Sequence, residues 1–285
     1  MKRYFYTESI RGEYAASDLA TERRRVDSTL SGIDYKVMES QGGTWELIRI
    51  TDEEGARSIG RPVGIYDTLN TGRIDLLSDE EIADVQDELA RRLCHIFDEL
   101  GLLPERILVV GLGNRNLTPD SLGTRAADEV KPTMHVKELD EEAFLSLECS
   151  EIAVITPGVS ASTGLDAAEI IRGVARRRLP DVIRAVDAFR SRSGKRVGTT
   201  VQISDTGVHP GSGIGNHRQA LNEKTLSTPI ITIGIPTVTA ARLFDEDEEG
   251  LDTMLVAPRE IDEIAAIGGK IIGGAINQAF GISPY

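Results

Sequence analysis

Apolar positions along this chain follow two rhythms. Short apolar runs rich in β-branched residues recur as ILVVGLG (107–113), IAVITPG (152–158), DVIRAVDAF (181–189), TTVQISDTG (199–207) and PIITIGIPTV (229–238). Several are apolar throughout rather than alternating, the pattern of strands covered on both faces. Between them the period lengthens to that of a helix. Ser78-Asp79-Glu80-Glu81 forms a capping box, opening a helix with Ile82, Val85, Leu89, Leu93, Ile96 and Leu100 on one face. A second helix is expected from about Asp166 to Leu179, stopped by Pro180. A third starts with Pro258 in its first turn and runs through Ile261, Ile264, Ile271 and Ile276. Its Gly268-Gly269 and Gly273-Gly274 pairs weaken a helix, so they predict close packing against another element. Strands alternating with helices predict one α/β domain, with a largely parallel sheet between helical layers.

Composition narrows the class. At 285 residues with 40% hydrophobic and 27% charged side chains, the chain can build a core without staples. The net charge of −14 argues against direct binding of nucleic acid. Two cysteines, Cys94 and Cys149, make neither a disulfide framework nor a four-cysteine zinc site, and read as small core residues of a cytoplasmic protein. The amino-terminal MKRYFYTESIRGEY has no apolar signal core, and no later run approaches membrane-spanning length. DEDEEG at 245–250 reads as a solvated loop.

In α/β sheets, ligand and reaction sites collect at the carboxyl ends of the strands. By that rule Asp120, in GLGNRNLTPDSLG (111–123), Asp187, in AVDAF, and Asp205, in QISDTG, are candidates, with His209 and His217 framing the glycine loop HPGSGIGNH. A dinucleotide fingerprint is missing, because GLGNRN has asparagine where the third glycine belongs. Asp205-Thr206-Gly207 spells the triplet of pepsin-like proteases, but that chemistry needs two such loops on an all-β frame, so a turn with Asp as a local acceptor explains it better. No G-x-S-x-G elbow anchors a serine triad. A metal site built from Asp120, Asp187, His209 and His217 stays open but lacks any H-x-x-x-H or H-E-x-x-H spacing. Carboxylate chemistry remains: two aspartates held close in a poorly hydrated cleft share one proton, so that one accepts a proton from water while the other polarises a carbonyl. The competing reading is that each aspartate caps a helix or closes a turn.

GLGNRNLTPDSLG, ITPGVSASTGLDAAEII, VDAF, TTVQISDTGVHPGSGIGNHR, STPIITIGIPTV and APREID occur in the order seen in the germination protease (spore protease) family of endospore-forming bacteria, which the chain resembles over nearly its whole length. The resemblance implies an α/β fold similar to hydrogenase-maturation proteases, a three-layer sandwich with a mostly parallel central sheet. It implies an atypical aspartic endopeptidase, without cofactor or metal, that degrades the small acid-soluble proteins coating spore DNA in the spore cytoplasm. The family's catalytic aspartates lie in TPD and (I/V)DA motifs, here Asp120 and Asp187. Thr118 and Pro119 would hold the first aspartate. Gly111, Gly113, Asn114, Gly211 and Gly213 would support the loops and let the substrate backbone approach, with His209 as a secondary candidate. Alternatives are a metal-dependent hydrolase using the same aspartates with His209, and a catalytically silent relative that binds spore proteins.

Family members are made as precursors and assemble as tetramers, so a homo-oligomer is expected. SDLATE (17–22) resembles the start of the mature family enzyme. Family substrates are cut in a context resembling Glu-(Phe/Ile)-Ala-Ser-Glu, and residues 13–18 read Glu-Tyr-Ala-Ala-Ser-Asp. Self-cleavage is therefore expected near Glu13 and Tyr14, with 1–13 as propeptide and 14–285 as a single protease domain. The sequence departs from the family after VDA, where Phe189-Arg190-Ser191-Arg192-Ser193 is bulkier and more basic.

Overall fold

A computed structural model describes residues 17–22, 30–208, 219–241 and 254–282. The chain first builds a meander the sequence reading passed over: β1 (Ile33–Ser40), β2 (Gly43–Ile50), a short α1 (Glu53–Ile59) and β3 (Gly64–Asn70). Then come α2 (Asp79–Leu100), β4 (Arg106–Gly111), α3 (Leu122–Glu129), β5 (Glu151–Ile155), α4 (Ala167–Arg178), β6 (Val182–Ser191) and β7 (Thr200–Ser204). The described chain closes with β8 (Ile230–Ala240), the two-residue β9 (Leu255–Val256) and α5 (Ile261–Ala279).

Helix ends follow their local chemistry. The Ser78–Glu81 capping box opens α2, and Gly101, at φ 65°, ends it. The Asp166 side chain accepts from the Ala168 amide at the start of α4, whose last turn meets Leu179 and then Pro180. Helix α5 begins at Ile261 rather than in the Pro258 turn. Its glycines do what their cost predicted. A β-carbon on Gly273 would lie 2.4 Å from the β-carbon of Glu129, and one on Gly269 would lie 2.9 Å from that of Arg125, so α5 lies almost backbone to backbone on α3.

The strands form one sheet in the order β1-β2-β3-β7-β8-β6-β4-β5, with β9 on the end of β8. The α/β reading holds, but the sheet is mixed rather than mostly parallel. Pairs β4–β5, β4–β6 and β6–β8 are parallel, whereas β1–β2, β2–β3, β3–β7, β7–β8 and β8–β9 are antiparallel. The parallel half reads as unbroken apolar runs because both faces are covered. Ile107 and Val109 of β4 face the core shared with α2, α3 and α5, while Leu108 and Val110 face the core shared with α4. Each such buried aliphatic side chain contributes roughly 1.5–3 kcal/mol. The antiparallel half alternates instead, with Trp45 and Leu69 on the first face and Ile48, Ile50 and Tyr66 on the other, against Ile59 of α1.

One strand carries a group foreign to both patterns. Arg184 of β6 is fully buried, with its guanidinium 5.3 Å from the centre of the Phe97 ring and no hydrogen-bond partner on any of its side-chain nitrogens. Burial pushes its pKa down to about 9. The cysteines are not core residues either, since Cys94 is exposed and Cys149 half-buried. No described helix is long and apolar enough to cross a membrane.

Candidate active site

Strand β4 stops at Gly111, level with Val186 of β6. The next residue, Leu112, gives its amide to the Val186 carbonyl at 2.8 Å, tying the departing loop to β6. Gly113 then turns the chain with φ 98°, and a β-carbon there would lie 2.0 Å from the Asp120 carbonyl oxygen. The loop closes on itself. The Leu117 amide donates to the Asn114 carbonyl at 3.0 Å, the Asn116 amide to Asn114 Oδ1 at 3.0 Å, and the Asp120 amide to the Leu117 carbonyl at 2.8 Å. Thr118–Asp120 form a single 3-10 turn with Pro119 fixing its φ, leading directly into α3. The Asn114 amide is shared between the carbonyl of Asp120 and its Oδ2, both at 2.9 Å, which fixes the half-buried carboxylate against its own loop. From outside, the Thr237 hydroxyl of β8 donates to the Pro119 carbonyl at 2.6 Å, and the Ser121 hydroxyl to the Thr118 carbonyl at 2.8 Å.

Asp187 does not end its strand, since β6 continues to Ser191. Its neighbour β4 has already stopped, one residue back, opposite Val186. Its side chain is 7% exposed, and Oδ1 accepts from the Ala188 amide at 2.9 Å. On the other flank Asp187 pairs with Gly234 of β8, where a β-carbon would fall 2.6 Å from the Phe189 ring. The bulky Phe189 that departs from the family pattern thus fills the space a glycine leaves, and is itself buried. The Asp120 turn lies against β6, and helix α3 behind it is pressed onto the same strand. A β-carbon on Gly123 would sit 2.3 Å from the Val186 carbonyl oxygen.

These distances revise one expectation. Gly111 and Gly113 serve the protein's own packing, not an open approach for a ligand: a β-carbon on the first would lie 2.3 Å from the Gly123 carbonyl oxygen of α3, and one on the second would meet Asp120. A second revision concerns Asp205. Strand β7 runs antiparallel to β8, and Ser204 pairs with Thr232, so Asp205 lies near the amino end of β8, away from the edge where Asp120 emerges. Its Oδ1 accepts from the Ile65 amide of β3 at 2.7 Å, a bridge between strands rather than a local turn, and burial raises its pKa. Val208 and Leu221 pair as an antiparallel bridge. His209, Gly211, Gly213 and His217 lie outside the described residues, as do Glu13 and Tyr14. Among the described residues, no three His, Cys, Asp or Glu side chains gather as a metal would require.

Sequence reasoning missed what the SDLATE segment touches. The Asp18 amide donates to the Arg190 carbonyl and the Arg190 amide to Asp18 Oδ2, both at 2.8 Å, beside the carboxyl end of β6. Gln202 of β7 holds the segment from below, accepting from the Ala20 amide at 2.8 Å and donating to the Asp18 carbonyl at 3.0 Å. Leu19 packs into the α4 core and Ala20 into the α1 core, both fully buried. Glu22 accepts from the Ser191 hydroxyl at 2.6 Å and from the Arg192 and Ser193 amides at 2.6 and 3.1 Å. A carboxylate three residues after a buried leucine was the available signal.

The sequence model of the germination protease family matches residues 13–255. Germination proteases of Caldanaerobacter subterraneus subsp. tengcongensis and Priestia megaterium are 38% and 39% identical to this chain, over 81% and 84% of its length. A third, from Bacillus cytotoxicus, is 37% identical over 81% of the chain. The aligned parts cover 71%, 66% and 63% of these relatives, so the chain spans about two thirds of their length. A solved [NiFe] hydrogenase maturation protease from Thermococcus kodakarensis aligns with 64% of this chain and 98% of its own, at 20% identity and a TM-score of 0.34. The chain belongs to the germination protease family, a family of peptidases.

Proposed function

We propose that this chain is an aspartic-type endopeptidase whose Asp120 and Asp187 share one proton, and whose substrates are the small acid-soluble proteins that coat spore DNA. The observation that carries the reading is the seam at Leu112 and Val186. The loop bearing Asp120 is hydrogen-bonded to β6 one residue before Asp187, at the edge where β4 ends. Two carboxyl groups on such a seam, one of them nearly buried, cannot both ionise cheaply.

In the reaction, the ionised carboxylate takes a proton from water as the water oxygen bonds to the scissile carbonyl carbon. The protonated partner gives its proton to the carbonyl oxygen. Collapse of the tetrahedral adduct re-forms the carbonyl, breaks the C–N bond, and returns a proton to the leaving amine. The part-buried hydrogen bonds from the Asn114 amide to Asp120 and from the Thr237 hydroxyl to the Pro119 carbonyl would keep Asp120 from relaxing away between steps. The net charge of −14 suits a protein substrate that binds DNA when intact.

The chain is further proposed to be made as a precursor cut near Glu13–Tyr14, to act in the spore cytoplasm, and to work as a homo-oligomer. The segment just beyond that cut, Ser17–Glu22, is anchored on β6 and β7, which would leave a new amino terminus close to the site.

The test is incubation with a purified small acid-soluble spore protein, with products read by mass spectrometry. Asp120→Asn and Asp187→Asn should each lower cleavage by about 10²–10⁴-fold with circular dichroism unchanged. Full activity in either variant would refute the shared-proton reading. Activity abolished by chelation and restored by added metal would point to the metal-dependent alternative. An intact substrate that stays bound to the mature-length protein would point to the silent binder.

A further inference from the structure

The two edges of the sheet are treated differently. At the β5 edge, Thr133 closes the strand. Its amide donates to the Ile152 carbonyl at 2.9 Å, and its hydroxyl accepts from the Ile152 amide at 2.8 Å. At the β1 edge no described group pairs with the outer side of the strand. Yet β1 is eight residues long, longer than several interior strands, and carries an exposed apolar pair, Val37 (51%) and Met38 (37%). Long, regular, uncovered edges are templates for another strand.

The backbone geometry says which groups are offered. The Gly32 carbonyl accepts from the Thr51 amide of the neighbouring chain segment at 2.9 Å. In an antiparallel ladder the direction of the backbone groups alternates. Even-numbered residues of β1 therefore turn their amides and carbonyls toward β2, and Ile33, Tyr35, Val37 and Glu39 turn theirs outward. Side chains alternate with the same period. Ile33 and Tyr35 lie on the face that carries Ile48 and Ile50. Asp34, Lys36 and Met38 lie on the opposite face, and Asp34 and Lys36 are exposed and in no ion pair among the described residues.

We infer that β1 is an interface for a second copy of this chain, pairing antiparallel with its own equivalent about a twofold axis through Tyr35. A twofold axis normal to the sheet requires that facing residues point to the same side, which leaves few registers. Centring on Asp34 opposes two aspartates, and centring on Lys36 opposes two lysines, each destabilising. Centring on Val37 sets Lys36 against Met38 and Asp34 against Ser40, with no charge matched. Centring on Tyr35 sets Asp34 of one copy against Lys36 of the other, twice. On the opposite face it sets Ile33 against Val37 twice, with the two tyrosines between them. The exposed Val37 gains an apolar neighbour, and the outward amides and carbonyls of Ile33, Tyr35 and Val37 all find partners. A lysine in the middle of an edge strand ordinarily repels other strands. Here an aspartate two positions earlier supplies its complement in that one register.

The inference rests on the homo-oligomer proposed above, and its test is sedimentation velocity on the full chain and on charge variants, which reads mass and not activity. A monomeric wild type removes both readings, whereas an oligomeric wild type with single variants of unchanged mass removes the β1 interface alone. Wild type should sediment at no less than twice the mass found for Lys36→Asp or for Asp34→Lys, each of which opposes like charges. The double variant Asp34→Lys/Lys36→Asp should regain the wild-type mass, because the exchange rebuilds both pairs. Tyr35→Cys should give a dimer on a non-reducing gel under mild oxidation, since facing residues of a hydrogen-bonded pair lie about 5.5 Å apart. A monomeric wild type, single variants of unchanged mass, or a double variant that does not recover would each overturn the inference.

Discussion

The two halves of the sheet solve the same burial problem in opposite ways. In the parallel half, β4, β6 and β8 are covered on both faces mainly by aliphatic side chains, with Arg184, Asp187 and Arg190 of β6 buried among them. In the antiparallel half a carboxylate lies in the interior. Asp67 of β3 is fully buried, with its oxygens 2.5 Å from Arg49 Nη1 and 2.5 Å from Arg92 Nε. Arg49 and Arg92 reach on to Glu99, whose carboxyl they and His95 hold below the usual range against the opposing effect of burial. The reactive candidates belong to the parallel half, where β4 stops one residue short of Asp187. The difference teaches that charge inside this protein is tolerated where it is matched, as Asp67 is by Arg49 and Arg92. Arg184 is the exception, unmatched and away from the edge.

The sharpest way to break this contrast is to unmatch the antiparallel half. Asp67→Asn should lower unfolding stability by about 3 kcal/mol, because two arginines lose a buried counter-charge. Urea titration would measure that loss, while cleavage per folded molecule should stay near wild type. Gly123→Ala attacks the other half. Its new β-carbon meets the backbone of Val186 and Leu112, so α3 must lift from β6. A loss of about 2 kcal/mol is expected, here with a fall in turnover, because Asp120 rides on the lifted segment. Arg184→Met tests the exception. Replacing an unpaired buried cation by an apolar chain of similar length should raise stability by about 1–2 kcal/mol without altering turnover.

Thr237→Val should cost about 1 kcal/mol through the lost bond to the Pro119 carbonyl, and should lower kcat more than it changes KM. The smallest effect is expected at Asp205. A carboxyl whose pKa is raised on folding favours the native state most below its unfolded pKa, and that advantage is lost as pH rises through the folded value. Asp205→Asn should therefore gain on wild type as pH rises from about 3 toward neutrality. A denaturation series across that range would show the slope, or its absence.

Some of this was legible residue by residue. The α2 cap, the end of α4 before Pro180 and the glycine-lined contact of α5 each rest on interactions within a few positions of chain, or on one residue's intrinsic cost. The β1–β3 meander also left a signal, in the Gly42-Gly43 turn and the alternation of TWELIRI, but its polar positions hid it among stretches read for unbroken apolar runs. The direction of β7 left none. A strand that enters a sheet antiparallel has the same composition as one that enters parallel, and it carried Asp205 to the wrong edge for the role its position suggested.

The sequence alone determined the kinds of element, their caps and breaks, and the family, and it put forward the two aspartates of the proposed pair. Those properties are encoded by local backbone preference, by period, and by long motifs in fixed order. Tertiary structure alone decided that the Asp120 loop is bonded to β6 at Val186, that Ser17–Glu22 is buried against β6 and β7, and that no described strand pairs with the outer side of β1. Strand order and contact between distant segments are settled by which surfaces bury one another, a sum over the whole chain that no short window contains.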